Sequence, residues 1–239
     1  MVGQISLESV LTSPDPQFNL RSQNKEFPTQ AFDSSEAKLL QSQINDLIAP
    51  LPDATLGKLF NDRTDTIALT AAFAKQYFDG KLFGGINAQD NEIGFDVLRP
   101  GHIRADPTNG TIQNNWYFTP SSTGWNDWIG DGTSANNYTV TKDQVVLVLG
   151  VVDQDVSTEL SGVNVQQFGR NVDMIPQDLN SMRLQDNQNE LQVTPLPSLI
   201  GQENDQVHMR LRYDRQTESE PRLYGFTFGL GSYMNTEDY

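Results

Sequence analysis

Apolar residues change their spacing near residue 90, from a helical rhythm to a strand-like one. Before that point Ala37, Leu40, Ile44, Leu47 and Ile48 recur three or four positions apart and predict a helix. Asp33 and Glu36 give it a D-x-x-E capping pattern, and Pro50 and Pro52 stop it. Residues 56–60 suit one or two further helical turns. A second helix is predicted over residues 64–78, with Ile67, Ala71, Ala74 and Phe78 on one face and Asp79-Gly80 as the terminator. Residues 1–34 follow neither rhythm. Pro14, Pro16 and Pro28 interrupt scattered apolar positions, so this stretch reads as an extended arm that needs the body of the protein or neighbouring subunits to tie it down.

Beyond residue 90, Ile93, Phe95 and Val97 alternate with polar neighbours, and Trp116, Tyr117 and Phe118 form a second strand candidate. Residues 144–152 are a nearly continuous β-branched and leucine run, as expected of a strand buried on both faces. Val163 and Val165 alternate again, and residues 182–193 read as a hairpin around Asp186-Asn187-Gln188-Asn189. The clearest strand covers residues 206–214, where Val207, Met209, Leu211 and Tyr213 face one way and His208, Arg210, Arg212 and Asp214 the other. A polar turn leads into residues 223–230, with Tyr224, Phe226, Phe228 and Leu230 on one face. There is no βαβ alternation and no internal repeat. The expected fold class is therefore mainly β with a minor helical part: an antiparallel β-sandwich or jelly roll, with two helices near the N-terminus. The expected division is an arm over 1–34, a helical segment packed on the body over 35–85, and the sandwich over 86–239.

Composition narrows the function classes. The 239 residues include 21 Asp and 10 Glu against 6 Lys and 10 Arg, a net charge of −15. Nucleic-acid binding is not expected, because phosphate neutralisation needs clustered Lys and Arg. With no cysteine there is no disulfide, thiolate metal site or cysteine nucleophile. No apolar run approaches the roughly 20 residues of a membrane helix, so membrane insertion is not expected. The first residues lack a basic stretch followed by an apolar one, so no secretory signal is expected. Excess carboxylate with little lysine suits a protein kept hydrated in high salt; an ordinary acidic protein is the plainer reading. Asn and Gln total 39, a surface rich in neutral hydrogen-bonding groups, as in virion proteins, lectins and carbohydrate-binding modules.

Candidate sites are few. Residues 120–139 read as a loop holding Trp125, Asp127, Trp128 and Asp131. With Trp116, these tryptophans offer apolar faces for stacking on a sugar ring, or alternatively for packing in a subunit interface or locally. Arg210, Arg212, Arg215 and Arg222 form the main basic concentration, suited to steering a neighbouring acidic subunit or to pairing with Asp214, Glu218 and Glu220. No cofactor is expected. Structural calcium has weak candidates in Asp127 with Asp131, Asp153 with Asp155 and Glu159, and Asp186 with Glu190, none at EF-hand spacing. His102 and His208 stand in different segments, with no His-x-x-x-His pair and no Gly-x-Ser-x-Gly elbow. P-loop and dinucleotide glycine patterns are absent, and no pair of carboxylates can be nominated for glycoside hydrolysis. An enzyme is not expected.

In its acidic, lysine-poor balance, N-terminal arm and strands over 144–152, 206–213 and 223–230, the chain resembles capsid and other virion proteins of viruses infecting halophilic archaea or bacteria. Among these are the small single jelly-roll capsid proteins of icosahedral viruses with an internal membrane. The resemblance covers about the last 150 residues as architecture, and it implies a virion structural protein: a capsid, turret or decoration subunit. Its expected place is the virion, its partners copies of itself and other virion proteins, with contacts through the arm and the β-domain surfaces. The alternative is a carbohydrate-binding or receptor-binding β-sandwich module, with a glycan as partner.

Overall fold

The computed structural model describes residues 32, 34–48, 63–104, 113–133, 135–153, 160–169, 176–178 and 192–234. Two helices precede the strands, α1 (Ser34–Ile48) and α2 (Thr64–Tyr77). The strands are β1 (Ile93–Val97), β2 (Gly124–Ile129), β3 (Tyr138–Thr139), β4 (Gln144–Asp153), β5 (Leu160–Phe168), β6 (Gln177–Asp178), β7 (Gln192–Gly201), β8 (Gln206–Tyr213) and β9 (Pro221–Leu230). They form two antiparallel sheets packed as a sandwich. One has the order β1-β9-β4-β7, the other β2-β8-β5-β6, and the two-residue β3 also pairs with β8.

That order has a simple logic. With β3 set aside, each strand of the first half pairs with its counterpart counted back from the end: β1 with β9, β2 with β8, β4 with β7, β5 with β6. Pairs β9–β4 and β8–β5 join these ribbons into sheets. This nested winding is the jelly roll, which satisfies most backbone groups of an all-β chain in two compact sheets.

By contact density the chain divides into two units. One comprises residues 97–226 and 237–239 and contains the sandwich core. Val146, Val148 and Val151 of β4, Leu196 and Leu199 of β7 and Leu223 of β9 meet Val163, Val165 and Phe168 of β5 and Val207, Met209, Leu211 and Tyr213 of β8. The alternation read for β8 is the observed one, since those four residues are buried. Residues 144–152 are buried throughout, as the run of branched residues predicts. The other unit comprises residues 1–96 and 227–236. There Phe83 packs at 5.3 Å from Phe32, 6.4 Å from Phe95 and 6.3 Å from Phe228, between ring centroids. Ala37, Leu40 and Ile44 of α1 and Ile67, Ala71, Ala74 and Phe78 at α2 are buried, the faces the helical spacing selects. Helix α2 ends as expected, with Asp79 and Gly80 at positive φ. Asp33, the partner of Glu36 in the expected capping pattern, lies outside the described residues. The Glu36 carboxylate takes the Lys75 ammonium and, at 3.4 Å, the Phe83 N–H.

Three local expectations need correction. Residues 116–118 are not a strand: Phe118 makes one isolated bridge with Ser219. The reason is Arg104, whose guanidinium donates to the carbonyls of Asn115 (2.9 Å) and Tyr117 (3.1 Å), giving them a partner outside any ladder. Residues 120–139 are not simply a loop, because β2 and β3 lie within them. Strand β7 carries Pro195 and Pro197, which break a strand pattern in the sequence; it is an edge strand, where proline is tolerated. Of the arm expected over 1–34, residues 1–31 and 33 lie outside the described residues, as do the turns at 56–60 and the hairpin tip at 186–189, while Phe32 packs on Phe83 and Ser34 already opens α1.

Candidate functional site

Alternation along β2 assigns its side chains. Trp125 and Asp127 stand opposite Arg212 and Arg210 of β8, while Asn126 stands opposite the buried Leu211. Trp125 and Asp127 therefore share the outer face of the five-stranded sheet with the two arginines. Trp128 and Ile129 are both buried, because a bulge between Asp127 and Ile129 shifts the register and lets two successive residues face the core. Asn126 fixes the start of β2. Its amide oxygen accepts from the Ser121 and Ser122 N–H groups, and its NH2 donates to the Ser122 and Gly124 carbonyls.

At the centre of this outer face, Asp127 Oδ1 lies 3.1 Å from His208 Nε2 and 3.3 Å from Arg210 Nε. Arg210 also donates from Nη2 to the Trp125 carbonyl at 3.4 Å. The loop after β2 covers the imidazole: a Cβ placed on Gly132 would come within 3.0 Å of His208 Cε1. Asn137 holds that loop by accepting the Gly132 N–H at 3.0 Å. Asp131, beside it, accepts from Asn136 and Thr133, and these hydrogen bonds hold its carboxyl below the usual carboxylate range. Across β8 from Asp127, Asn164 of β5 pairs in register with Arg210, and its Oδ1 is buried without a hydrogen-bond partner. Arg212 is exposed, opposite half-exposed Trp125, and no described side chain pairs with its guanidinium.

The five residues nominated from sequence thus part company. Trp125, Arg210 and Arg212 come together on one face. Trp116 and Trp128 are buried in the core at 6% and 2% exposure, their ring centroids 5.8 Å apart, and this removes both from any surface role in the isolated subunit. Among the carboxylates offered as arginine partners, Glu220 pairs with Arg222, whereas Asp214 accepts the Ser161 hydroxyl at 2.8 Å. The partner of Arg210 is Asp127, which sequence reasoning placed only in a loop. The Asp127 with Asp131 calcium pairing does not form a shared cage, since the two carboxylates are engaged with His208 and Arg210 on one side and Asn136 and Thr133 on the other. The other two acidic groups fall on side chains outside the described residues, and among the described residues no group of three metal-ligating side chains occurs.

His102 lies elsewhere, in the helical turn Pro100–Ile103. It is buried, and its Nδ1 accepts the Arg99 N–H at 3.0 Å. Its carbonyl accepts the Gln144 side-chain amide at 2.8 Å, and Gln144 accepts the Tyr138 hydroxyl at 2.9 Å, so the turn is tied to β3 and β4. Burial first, and the Arg99 charge second, lower its pKa from 6.5 to about 4. The unfolded chain then binds the extra proton at higher pH than the folded one. Stability present above the unfolded value is lost as pH falls from about 6.5 to about 4, by roughly 3 kcal/mol in all. His102→Asn keeps an acceptor for the Arg99 N–H and removes the titration. Urea midpoints of the two proteins are expected to diverge over that window; parallel pH profiles would refute this role.

No protein-family profile, no characterised protein and no solved structure matches this chain. Its functional reading therefore rests on the fold and on this face.

Proposed function

We propose that the chain is a non-enzymatic virion structural protein, a single jelly-roll subunit of a capsid, turret or decoration layer. The observation that carries the reading is the nested strand order, β1-β9-β4-β7 against β2-β8-β5-β6, a winding used by many capsid subunits. Fold alone is an analogy. The acidic composition and the half-exposed Trp125 beside exposed Arg212 add support, since subunits that meet on demand need a hydrated exterior with a few anchoring contacts. In this reading the N-terminal arm and the β-domain surfaces make the contacts between subunits, with copies of the chain and other virion proteins as partners.

Trp125 also keeps a carbohydrate-binding reading in play, because lectins share the jelly roll and a half-exposed indole beside Arg and Asp suits a sugar ring. Titration of the native protein with a glycan panel, read by tryptophan fluorescence, separates the two. The virion reading predicts no saturable response from a protein that assembles. A saturable response abolished by Trp125→Ala, in a protein that stays monomeric, would favour the glycan module.

A further inference from the structure

We propose that the apolar ridge of Leu39, Leu82 and Ile86 seats the chain's own N-terminal arm, through residues 18–31. Among the described residues four large apolar side chains are exposed, and these are three of them. Single apolar residues scattered over a surface are ordinary, whereas a group of them marks a contact. Helix α1 brings the three together. Glu36, Leu39 and Gln43 lie three and four positions apart and share one flank of that helix. At one end of the flank Glu36 accepts the Phe83 N–H at 3.4 Å. At the other the Gln43 amide lies against Gly85, where an added Cβ would overlap it. Leu39 therefore stands beside residues 83–85, and Leu82 and Ile86 bracket that stretch.

The place where the described chain begins selects the occupant. Phe32 is buried, with its ring 5.3 Å from that of Phe83. The Lys75 ammonium lies 5.1 Å from the centre of the Phe32 ring while paired with Glu36. These contacts fix the root of the arm at Phe83, the neighbour of Leu82 in the chain. Phe27 stands five residues before Phe32, and five extended residues span about 17 Å. Phe27 thus reaches the ridge without help from another copy, and Leu20 and Phe18 supply further apolar side chains behind it. A segment tethered this closely has an effective concentration on the order of millimolar at the ridge, so a few apolar contacts suffice to hold it. Residues 1–17 stay available for the contacts between subunits proposed above, and the inference does not depend on those contacts.

The test is limited trypsin digestion of the full chain, with mass spectrometry following the bonds after Arg21 and Lys25. In the wild type both are expected to be cut about tenfold or more slowly than in a free peptide of residues 15–31, and at a rate that does not change on dilution. The double variant Leu82→Asp, Ile86→Asp is expected to raise the rate about tenfold or more. Phe27→Asp, which leaves the ridge and the body of the protein untouched, is expected to do the same. Circular dichroism of the variants is expected to match the wild type, since the ridge side chains are exposed. Cleavage of the wild type at the free-peptide rate would overturn the inference, and so would protection that persists in both variants. Protection lost on dilution would overturn it too, and would give the ridge to the arm of a second copy.

Discussion

Replacing Gly225 by alanine is expected to destabilise the protein by about 4 kcal/mol or more, near the upper end for a single methyl group. Gly225 lies in β9 where it passes β4. A Cβ there would stand 1.8 Å from the Leu147 carbonyl oxygen, 2.8 Å from the Leu147 carbonyl carbon and 3.0 Å from Val148 Cα. All three are backbone atoms of a strand buried along its length, so no side chain can swing aside to make room. The strands must separate, and β9–β4 is the pair that joins two ribbons into one sheet. Gly80→Ala is the matched comparison. Its Cβ would meet nothing within 4 Å, so the cost is only that of a positive φ, about 1 kcal/mol. Urea unfolding of both variants measures the difference. Equal, small losses would mean that β9 and β4 are not in the described contact.

Trp128→Ala is expected to cost about 3–5 kcal/mol, whereas Trp125→Ala on the same strand changes stability by less than about 1 kcal/mol. Trp128 is 2% exposed and sits in the core with Trp116, so truncation empties a volume that the rigid sheets cannot close. Trp128→Phe is expected to lose much less than alanine. The indole Nε1 is buried with no acceptor, so phenylalanine gives up packing volume while also removing an unpaired donor. Urea midpoints for the three variants should rank Trp125→Ala, Trp128→Phe and Trp128→Ala from least to most damaging. Comparable losses for Trp125→Ala and Trp128→Ala would contradict the assignment of the two indoles to opposite faces.

These two tryptophans also explain why part of the structure was readable from sequence and part was not. β8 was legible because one face is all apolar and the other all polar, a period of two that needs no context. β4 was legible because a strand buried on both faces needs apolar residues at every position. β2 obeys neither rule. Its inward positions include Asn126, which caps its own turn, and its outward ones include Trp125, so the hydropathy pattern is inverted. Prolines hid β7, and their compatibility with an edge strand appears only once the sheet order is known.

The candidate face was legible by residue type and hidden by pairing. Trp125 stands out as one of three tryptophans, and Arg210 and Arg212 as part of the basic concentration of an acidic chain. That Asp127 joins His208, 81 residues away, and Arg210 follows from strand register, which the jelly-roll winding sets between distant segments. His208 lies on the polar strand face that the alternation gives it and bonds Asp127 there; what the alternation does not announce is the Gly132 loop over it, which turns through a positive φ.

The measurement that bears most directly on the proposed role is the light-scattering mass of the native protein in molar salt and again at low salt. A subunit of a salt-adapted shell or appendage is expected to give a discrete multi-subunit mass in molar salt, where repulsion between chains of net charge −15 is screened, and to dissociate on desalting. A stable monomer of 26.7 kDa under both conditions would contradict the account.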